Sequence, residues 1–226
     1  MPLLRKSTGL RHFAWPLSIM ATLLSFKAQA ATLSVADTEG TPLEHAVVEI
    51  YIEGTATPPA TEENIFQRDA AFHPTVTTVP TGSYVAFPNE DTTRHHVFSF
   101  SPAKVFDLEL FLNETPPPIH FDQAGVVVLG CNIHDQMQAF IVVSDAPYAA
   151  LTNADGTLDV PELPEGRHRM RVWHSRMDDS QNVWWEGDIS DADTLTVSLE
   201  LNALTPEPAT LSPLQQRFRN ATHPQQ

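Results

Sequence analysis

The chain has 226 residues, of which 42% are hydrophobic and 18% are charged, and this composition excludes an intrinsically disordered protein. It carries 28 Asp and Glu against 13 Lys and Arg, which gives a formal net charge of −15. A chain this acidic repels nucleic acid and anionic membrane surfaces, so neither is an expected partner. It attracts a basic partner instead, most strongly at low salt.

The N-terminal segment, residues 1–30, has the pattern of an export signal. Three basic side chains come first, and an apolar run from Phe13 to Phe26 follows, which is too short to span a bilayer. Ala28-Gln29-Ala30 then matches the small-x-small pattern of a signal-peptidase site. We predict a signal peptide cleaved after Ala30, a periplasmic protein, and no membrane anchor in the mature form. Removing this segment leaves 28 acidic and 9 basic residues, a net charge near −19.

The next residues predict β-structure. Residues 31–53 favour a strand, a turn at Asp37-x-x-Gly40 and a second strand. Further along, Tyr84–Phe87 predicts a strand, Asn89-Glu90-Asp91 a turn, and His96–Phe100 the next strand.

The single cysteine, Cys131, cannot form an internal disulfide. An unpaired thiol in an oxidising compartment is expected to be either buried and inert or bound to a metal. Two β-branched runs, Val126–Leu129 and Phe140–Val143, predict two strands joined by a short turn. The turn carries Cys131, His134 and Met137 at C-x-x-H-x-x-M spacing, a soft ligand set that favours copper over magnesium, calcium or manganese.

A second imidazole must come from elsewhere, and the pair His95–His96 offers it. Either residue would complete a trigonal Cys-His-His set with a weak axial Met. Neighbours on a strand point to opposite faces, so both cannot face one metal unless the backbone bulges. We predict His95 as the ligand, with His96 as the alternative. The competing interpretation is that Cys131 is a small buried hydrophobic residue and the histidines are structural.

The order of these residues resembles that of the cupredoxins, the plastocyanin, amicyanin and azurin fold, over about 77 residues from Gln67 to Val143. The ligand loop has the length of the amicyanin type, and the wider chain is similar to exported bacterial proteins labelled plastocyanin-like or methylamine-utilisation proteins. In plastocyanins the upstream His is followed by Asn, a position that His96 occupies here. The matching pattern comprises Phe72-x-Pro74, Val79-x-x-Gly82-x-x-Val85-x-Phe87-x-Asn89, His95-x-Val97, Gly125 and the Cys131 loop.

The resemblance implies an all-β Greek-key sandwich with one mononuclear type 1 copper site. Its ligands would be His95, Cys131, His134 and Met137, with Met137 axial and His134 nearest the surface. The implied function is transfer of single electrons between redox partners by Cu(I)/Cu(II) cycling. A periplasmic copper carrier or sensor, and a metal-free interaction module, are the alternatives.

The flanking segments resemble a carboxypeptidase-regulatory-like β-sandwich. Residues 31–60 and 145–202 would be two parts of that small sandwich, with the cupredoxin domain at 61–144 inserted between them. The rival hypothesis places two consecutive domains, with the N-terminal strands added to the cupredoxin edge. Residues 203–226, rich in Pro and Gln, are predicted to be a disordered tail.

The motifs of covalent, phosphoryl and hydride chemistry are missing from the sequence. It has no C-x-x-C-H haem site, no G-x-S-x-G elbow, no P-loop and no G-x-G-x-x-G. We therefore predict that the protein is not an enzyme. The acidic charge and the implied function predict a redox partner protein, such as a basic cytochrome c or an exported dehydrogenase.

Overall fold

The computed structural model describes residues 32–112, 115–191 and 194–203, and every regular element in these ranges is a β-strand. The all-β prediction is confirmed. The predicted signal peptide and almost all of the predicted tail lie outside the described residues. Within the described part of the chain, no helix is long and apolar enough to cross a membrane.

The described ranges contain seventeen strands. In chain order they are β1 (Thr32–Asp37), β2 (Val47–Tyr51), β3 (Glu62–Asn64), β4 (Phe66–Arg68), β5 (Ala71–His73), β6 (Val76–Pro80), β7 (Ser83–Ala86), β8 (His95–Ser101), β9 (Lys104–Phe111), β10 (Ile119–Phe121), β11 (Gly125–Gly130), β12 (Gln138–Ser144), β13 (Tyr148–Leu151), β14 (Thr157–Asp159), β15 (Arg167–Trp173), β16 (Trp185–Ser190) and β17 (Leu195–Leu199).

The strands form two β-sandwiches. In the central sandwich, residues 62–144, the five-stranded sheet β6-β12-β11-β8-β9 faces the three-stranded sheet β10-β7-β3 across one apolar core. In the flanking sandwich, residues 32–51 and 148–199, the four-stranded sheet β13-β2-β15-β16 faces the three-stranded sheet β14-β1-β17 across a second core. The β4-β5 hairpin belongs to the central segment of the chain.

The two sandwiches share a third apolar cluster, because the outer faces of their larger sheets pack on each other. Side chains alternate between the faces of a strand, so Ala139, Ile141 and Val143 of β12 enter the central core while Phe140 and Val142 face the flanking sandwich. Both faces of β12 are therefore covered, which explains why its sequence is a continuous apolar run.

Trp173, at the end of β15, is the largest fully buried side chain in this shared cluster. It is fully buried, and its ring centroid lies 5.5 Å from that of Phe140 and 6.4 Å from that of Trp184. An aromatic side chain of this size contributes much of the apolar area buried between the sheets. The interface between the two sandwiches is therefore packed like a protein interior.

The strand pairing places the N-terminal strands in the flanking sandwich. Strand β1 pairs antiparallel with β14 and parallel with β17, and β2 pairs antiparallel with β13 and β15. The insertion hypothesis itself stays a prediction. The chain then passes between the sandwiches twice, once before β3 and once after β12.

Limited proteolysis tests the insertion hypothesis. We expect cleavage in the connection at 52–61 and in the loop after β12 to release a fragment close to residues 61–144. We also expect residues 32–51 to stay associated with 148–199, because seventeen backbone-paired positions link β1 and β2 to those strands. Mass spectrometry of the fragments after native separation provides the measurement. Co-purification of residues 32–51 with the central fragment contradicts the hypothesis.

Candidate metal site

The loop between β11 and β12, residues 131–137, carries three of the predicted ligands. Register between the strands runs without interruption to Gly130 and Gln138, so the loop is closed by paired backbone on both sides. The Met137 N–H donates to the His134 carbonyl at 2.9 Å, which tightens its second half. Cys131, His134 and Met137 are thereby held on one short turn at the end of the central core.

His95 reaches the same place from the first position of β8, the neighbour of β11 in the sheet. One ligand atom each from His95, Cys131 and His134 lies within 4.8 Å of the others. The Cys131 Sγ is 3.9 Å from the His134 Nδ1, and the two imidazole centroids are 5.0 Å apart. The structure therefore brings His95 close to Cys131, which lies 36 residues later in the sequence, and to His134, which lies three residues after Cys131.

Burial differs among the three side chains. His95 is 1% exposed and Cys131 is 6% exposed, whereas His134 is half-buried. Met137 is 2% exposed and belongs to the same apolar cluster as Cys131. The site thus has a buried inner side, formed by His95 and Cys131, and an outer side at the His134 ring.

His96 lies outside the cluster. Its Nε2 is 2.5 Å from the Asp107 carboxylate, and its ring lies 5.2 Å from that of Phe98 on the outer face of the sheet. The bulge between β8 and β9 puts its additional residue on β9, because His95 pairs with Phe111 while Val97 pairs with Leu108. Strand alternation on β8 is kept, so the two histidines face opposite sides. Of the two candidates, the structure places His95 beside Cys131 and His134.

A further polar residue that the sequence analysis did not identify contacts His95. The Asp91 Oδ2 lies 2.6 Å from the His95 Nε2. The Asp91 carboxylate also accepts backbone N–H groups from Asp69 and Ala70, at 2.8 and 3.0 Å. Partial burial acts to raise the pKa of Asp91, but the two backbone donors and the His95 ring outweigh it and hold the pKa below its ordinary value. The only available sequence signal was an acidic residue four positions before a candidate ligand.

The segment that precedes β8 is fixed by amide side chains. The Asn89 Nδ2 donates to the Thr93 and Phe111 carbonyls, at 2.9 and 3.0 Å, and its Oδ1 accepts the Asp91 N–H at 2.9 Å. Gln67 of β4 is fully buried and donates from its Nε2 to the Phe87 carbonyl at 2.9 Å. These bonds hold the turn that was predicted at residues 89–91 against both β4 and β9.

The donor set fits a copper ion. With the Nε2 of His95 engaged by Asp91, the nitrogen left for a metal is Nδ1, which is buried and has no hydrogen-bond partner. A buried polar atom without a partner is costly, and a bound cation would satisfy it. Two imidazoles, a thiolate and a thioether form a soft set of the kind that suits copper. His95, Cys131 and His134 would hold the ion, with Met137 available from the same loop.

A groove with both apolar and polar lining opens beside the loop. It has a volume of about 630 Å³, and its lining includes Phe98 and Phe100 of β8 together with Asn132 and Asp135 of the loop. Phe100 is 75% exposed, and the neighbouring Ile133 is 46% exposed. The outer side of the site is therefore surrounded by exposed apolar side chains and an acidic residue.

No family model matches the sequence, and no curated protein matches it either. Several solved structures resemble part of the chain. A Cu-containing nitrite reductase from Thermus scotoductus SA-01 is 24% identical, with 42% of this chain and 25% of that chain covered and a TM-score of 0.35. A reduced Cu(I) form of an amicyanin variant is 16% identical, covering 45% of this chain and 100% of that one at a TM-score of 0.34. A purple cupredoxin from Nitrosopumilus maritimus is 20% identical, covering 36% and 99% at a TM-score of 0.31.

Proposed function

We propose that this protein is an exported type 1 copper protein of the cupredoxin class that carries single electrons between redox partners. The observation that carries the proposal is the convergence of His95, Cys131 and His134 within 4.8 Å at the end of a buried β-core. A single copper ion bound there would supply a one-electron Cu(I)/Cu(II) couple. The cupredoxin resemblance of residues 67–143 and the soft donor set support the same conclusion.

The chain's own residues have distinct parts in this function. Cys131 supplies the thiolate, and its 6% exposure keeps that sulfur away from solvent oxidants. Paired backbone of β8, β11 and β12 supports His95 and the loop, so little rearrangement is expected when the charge of the site changes. His134, the more exposed imidazole, forms the route for electrons to a docked partner.

Met137 distinguishes an electron carrier from a copper carrier. We expect Met137→Leu, a substitution of similar volume, to retain copper and to shift the reduction potential upward. The reason is that a weakly held thioether would adjust the potential of the copper more than it adds affinity. Cyclic voltammetry and competition for Cu(I) by a chelator provide the measurements. A loss of most Cu(I) affinity in Met137→Leu would instead favour a carrier that depends on the thioether.

The charge of the mature chain predicts the character of the partner. We propose a basic redox protein that docks around His134, where Ile133 and the groove offer apolar contact on a chain of strongly acidic net charge. With a net charge near −19, the second-order rate of electron transfer to a basic cytochrome c is expected to fall as ionic strength rises. Stopped-flow kinetics between about 10 and 500 mM salt test this, spanning Debye lengths from roughly 30 Å to below 10 Å. Rates that do not change with salt would contradict the docking proposal.

A further inference from the structure

The strongest unassigned feature is the carboxylate of Asp91 behind the His95 ring. It lies 2.6 Å from the His95 Nε2, and among the described residues Asp91 is not a member of the His95–Cys131–His134 cluster. Its position therefore suits an outer hydrogen-bond partner of a metal ligand and not a ligand itself.

The hydrogen bond determines which nitrogen of His95 is available to a metal. A neutral imidazole carries one proton, and a carboxylate that only accepts requires that proton on the nitrogen it contacts. Asp91 therefore favours the tautomer with Nε2 protonated and Nδ1 free. The Nδ1 atom is buried and has no partner in the structure, in agreement with this assignment.

Asp91 is itself held by a second element, the tip of the β4-β5 hairpin. Asp69 and Ala70 form that tip with positive φ values of 54° and 53°, which turns both of their N–H groups toward the Asp91 carboxylate. The Asp91 N–H is bonded to Asn89 in turn. The carboxylate accepts hydrogen bonds from the Asp69 and Ala70 N–H groups as well as from the His95 ring, so it cannot rotate away from His95 without losing the two backbone bonds.

We infer that Asp91 is a positioning residue that fixes the Nε2-protonated tautomer of His95, aims its Nδ1 into the site and favours the Cu(II) state. This inference rests on the proposed copper function. A carboxylate bonded to a ligating imidazole makes the imidazole a better donor and adds negative charge near the metal, and both effects stabilise the more highly charged oxidation state. The hairpin tip at residues 69–70 is then part of the site's support, although it contributes no ligand.

The test compares Asp91→Ala and Asp91→Asn with a matched control. Asp122→Asn changes the charge equally, at an exposed carboxylate bonded to Lys104. We expect Asp91→Ala to lower Cu(II) affinity by roughly 10- to 100-fold, as is typical for loss of an outer-shell partner, with a smaller loss of Cu(I) affinity. Each tenfold loss of Cu(II) relative to Cu(I) affinity raises the potential by about 59 mV. Asp91→Asn, which keeps a neutral acceptor, should fall between Asp91→Ala and the wild type, and Asp122→Asn should match the wild type.

A second readout requires no copper. Nitrogen-15 NMR of the metal-free mature chain should show His95 as the Nε2-protonated tautomer in the wild type and as a mixture in Asp91→Ala. If Asp91→Ala fails to fold, Asp91→Asn provides the same comparison. Retention of the tautomer and of wild-type Cu(II) affinity in both variants would overturn the inference. If the wild type binds no copper, the proposed function fails, while the tautomer measurement still decides whether Asp91 positions His95.

Discussion

The substitution Cys131→Ser is expected to abolish the intense visible absorption of the copper-loaded protein. The thiolate is the donor of the charge-transfer band, and serine offers neither a thiolate nor a soft donor. Copper affinity should fall by more than the roughly 10- to 100-fold that accompanies removal of an outer-shell partner, because a direct ligand is lost. The visible spectrum and a Cu(I) competition titration of the two proteins provide the measurement.

His96→Gln is the matched control for this experiment. His96 lies next to a proposed ligand in sequence but on the opposite face of β8, bonded to Asp107. We therefore expect this variant to keep the band and one equivalent of copper. A spectrum that survives in Cys131→Ser, or one that disappears in His96→Gln, would contradict the ligand assignment. Equal near-ultraviolet circular dichroism in the three proteins would exclude misfolding as the cause.

The second large effect concerns stability. It arises at an ion pair whose carboxylate is fully buried, close to the interface between the two sandwiches. Glu49 of β2 is fully buried and lies directly opposite Arg171 of β15 in the sheet, with its Oε2 bonded to the Arg171 Nε. The Arg171 guanidinium also stacks on Trp184, 4.2 Å from the ring centroid. Burial and the Glu49 carboxylate raise the pKa of Tyr51, so its hydroxyl stays protonated and donates to Glu49 at 3.1 Å.

Arg171→Met is therefore expected to lower the free energy of unfolding by about 3–5 kcal/mol. The substitution leaves the Glu49 charge buried without its cation, and loss of one partner of a buried pair is far more costly than loss of the whole pair. Urea unfolding followed by tryptophan fluorescence is the measurement. Trp173, Trp184 and Trp185, the three tryptophans outside the predicted signal peptide, all lie in or beside the flanking sandwich.

Two further variants make this stability prediction specific. Arg167 lies on the same strand as Arg171, and Arg167→Met breaks its exposed pair with Asp188 of β16, whose side chains are 78% and 46% exposed. A surface pair contributes about 0–1 kcal/mol, so this control should change little. The double variant Glu49→Leu/Arg171→Met should recover most of the lost stability, because it leaves no buried charge. Equal destabilisation by Arg171→Met and Arg167→Met would exclude a special role for burial.

The loop ligands could be predicted from sequence because their geometry is local. Cys131, His134 and Met137 lie within seven residues between two β-branched runs, and the strand pairing alone closes that turn. The choice between His95 and His96 could not be made from spacing, because it depends on which face of β8 meets the neighbouring strand. That face is determined by packing of the whole five-stranded sheet, and the bulge on β9 could have changed it.

Two features escaped the sequence analysis because their partners are distant along the chain. The turn at residues 89–91 was predicted, but the direction of the Asp91 carboxylate depends on the tip of the β4-β5 hairpin, about twenty residues upstream. Glu49 stands alone within the apolar run of β2, a detectable signal of a buried charge. Its partner Arg171 is 122 residues away, and only the pairing of β2 with β15 brings the two together.

The most direct test of the copper function is a titration of the mature wild-type protein with Cu(II), followed by visible absorption. We expect an intense thiolate-to-copper band that saturates at one equivalent and is bleached reversibly by a reductant. Such a result would establish one redox-active site formed by His95, Cys131 and His134. If copper is bound without an intense band, or is not bound at all, the proposal of a type 1 electron carrier is wrong.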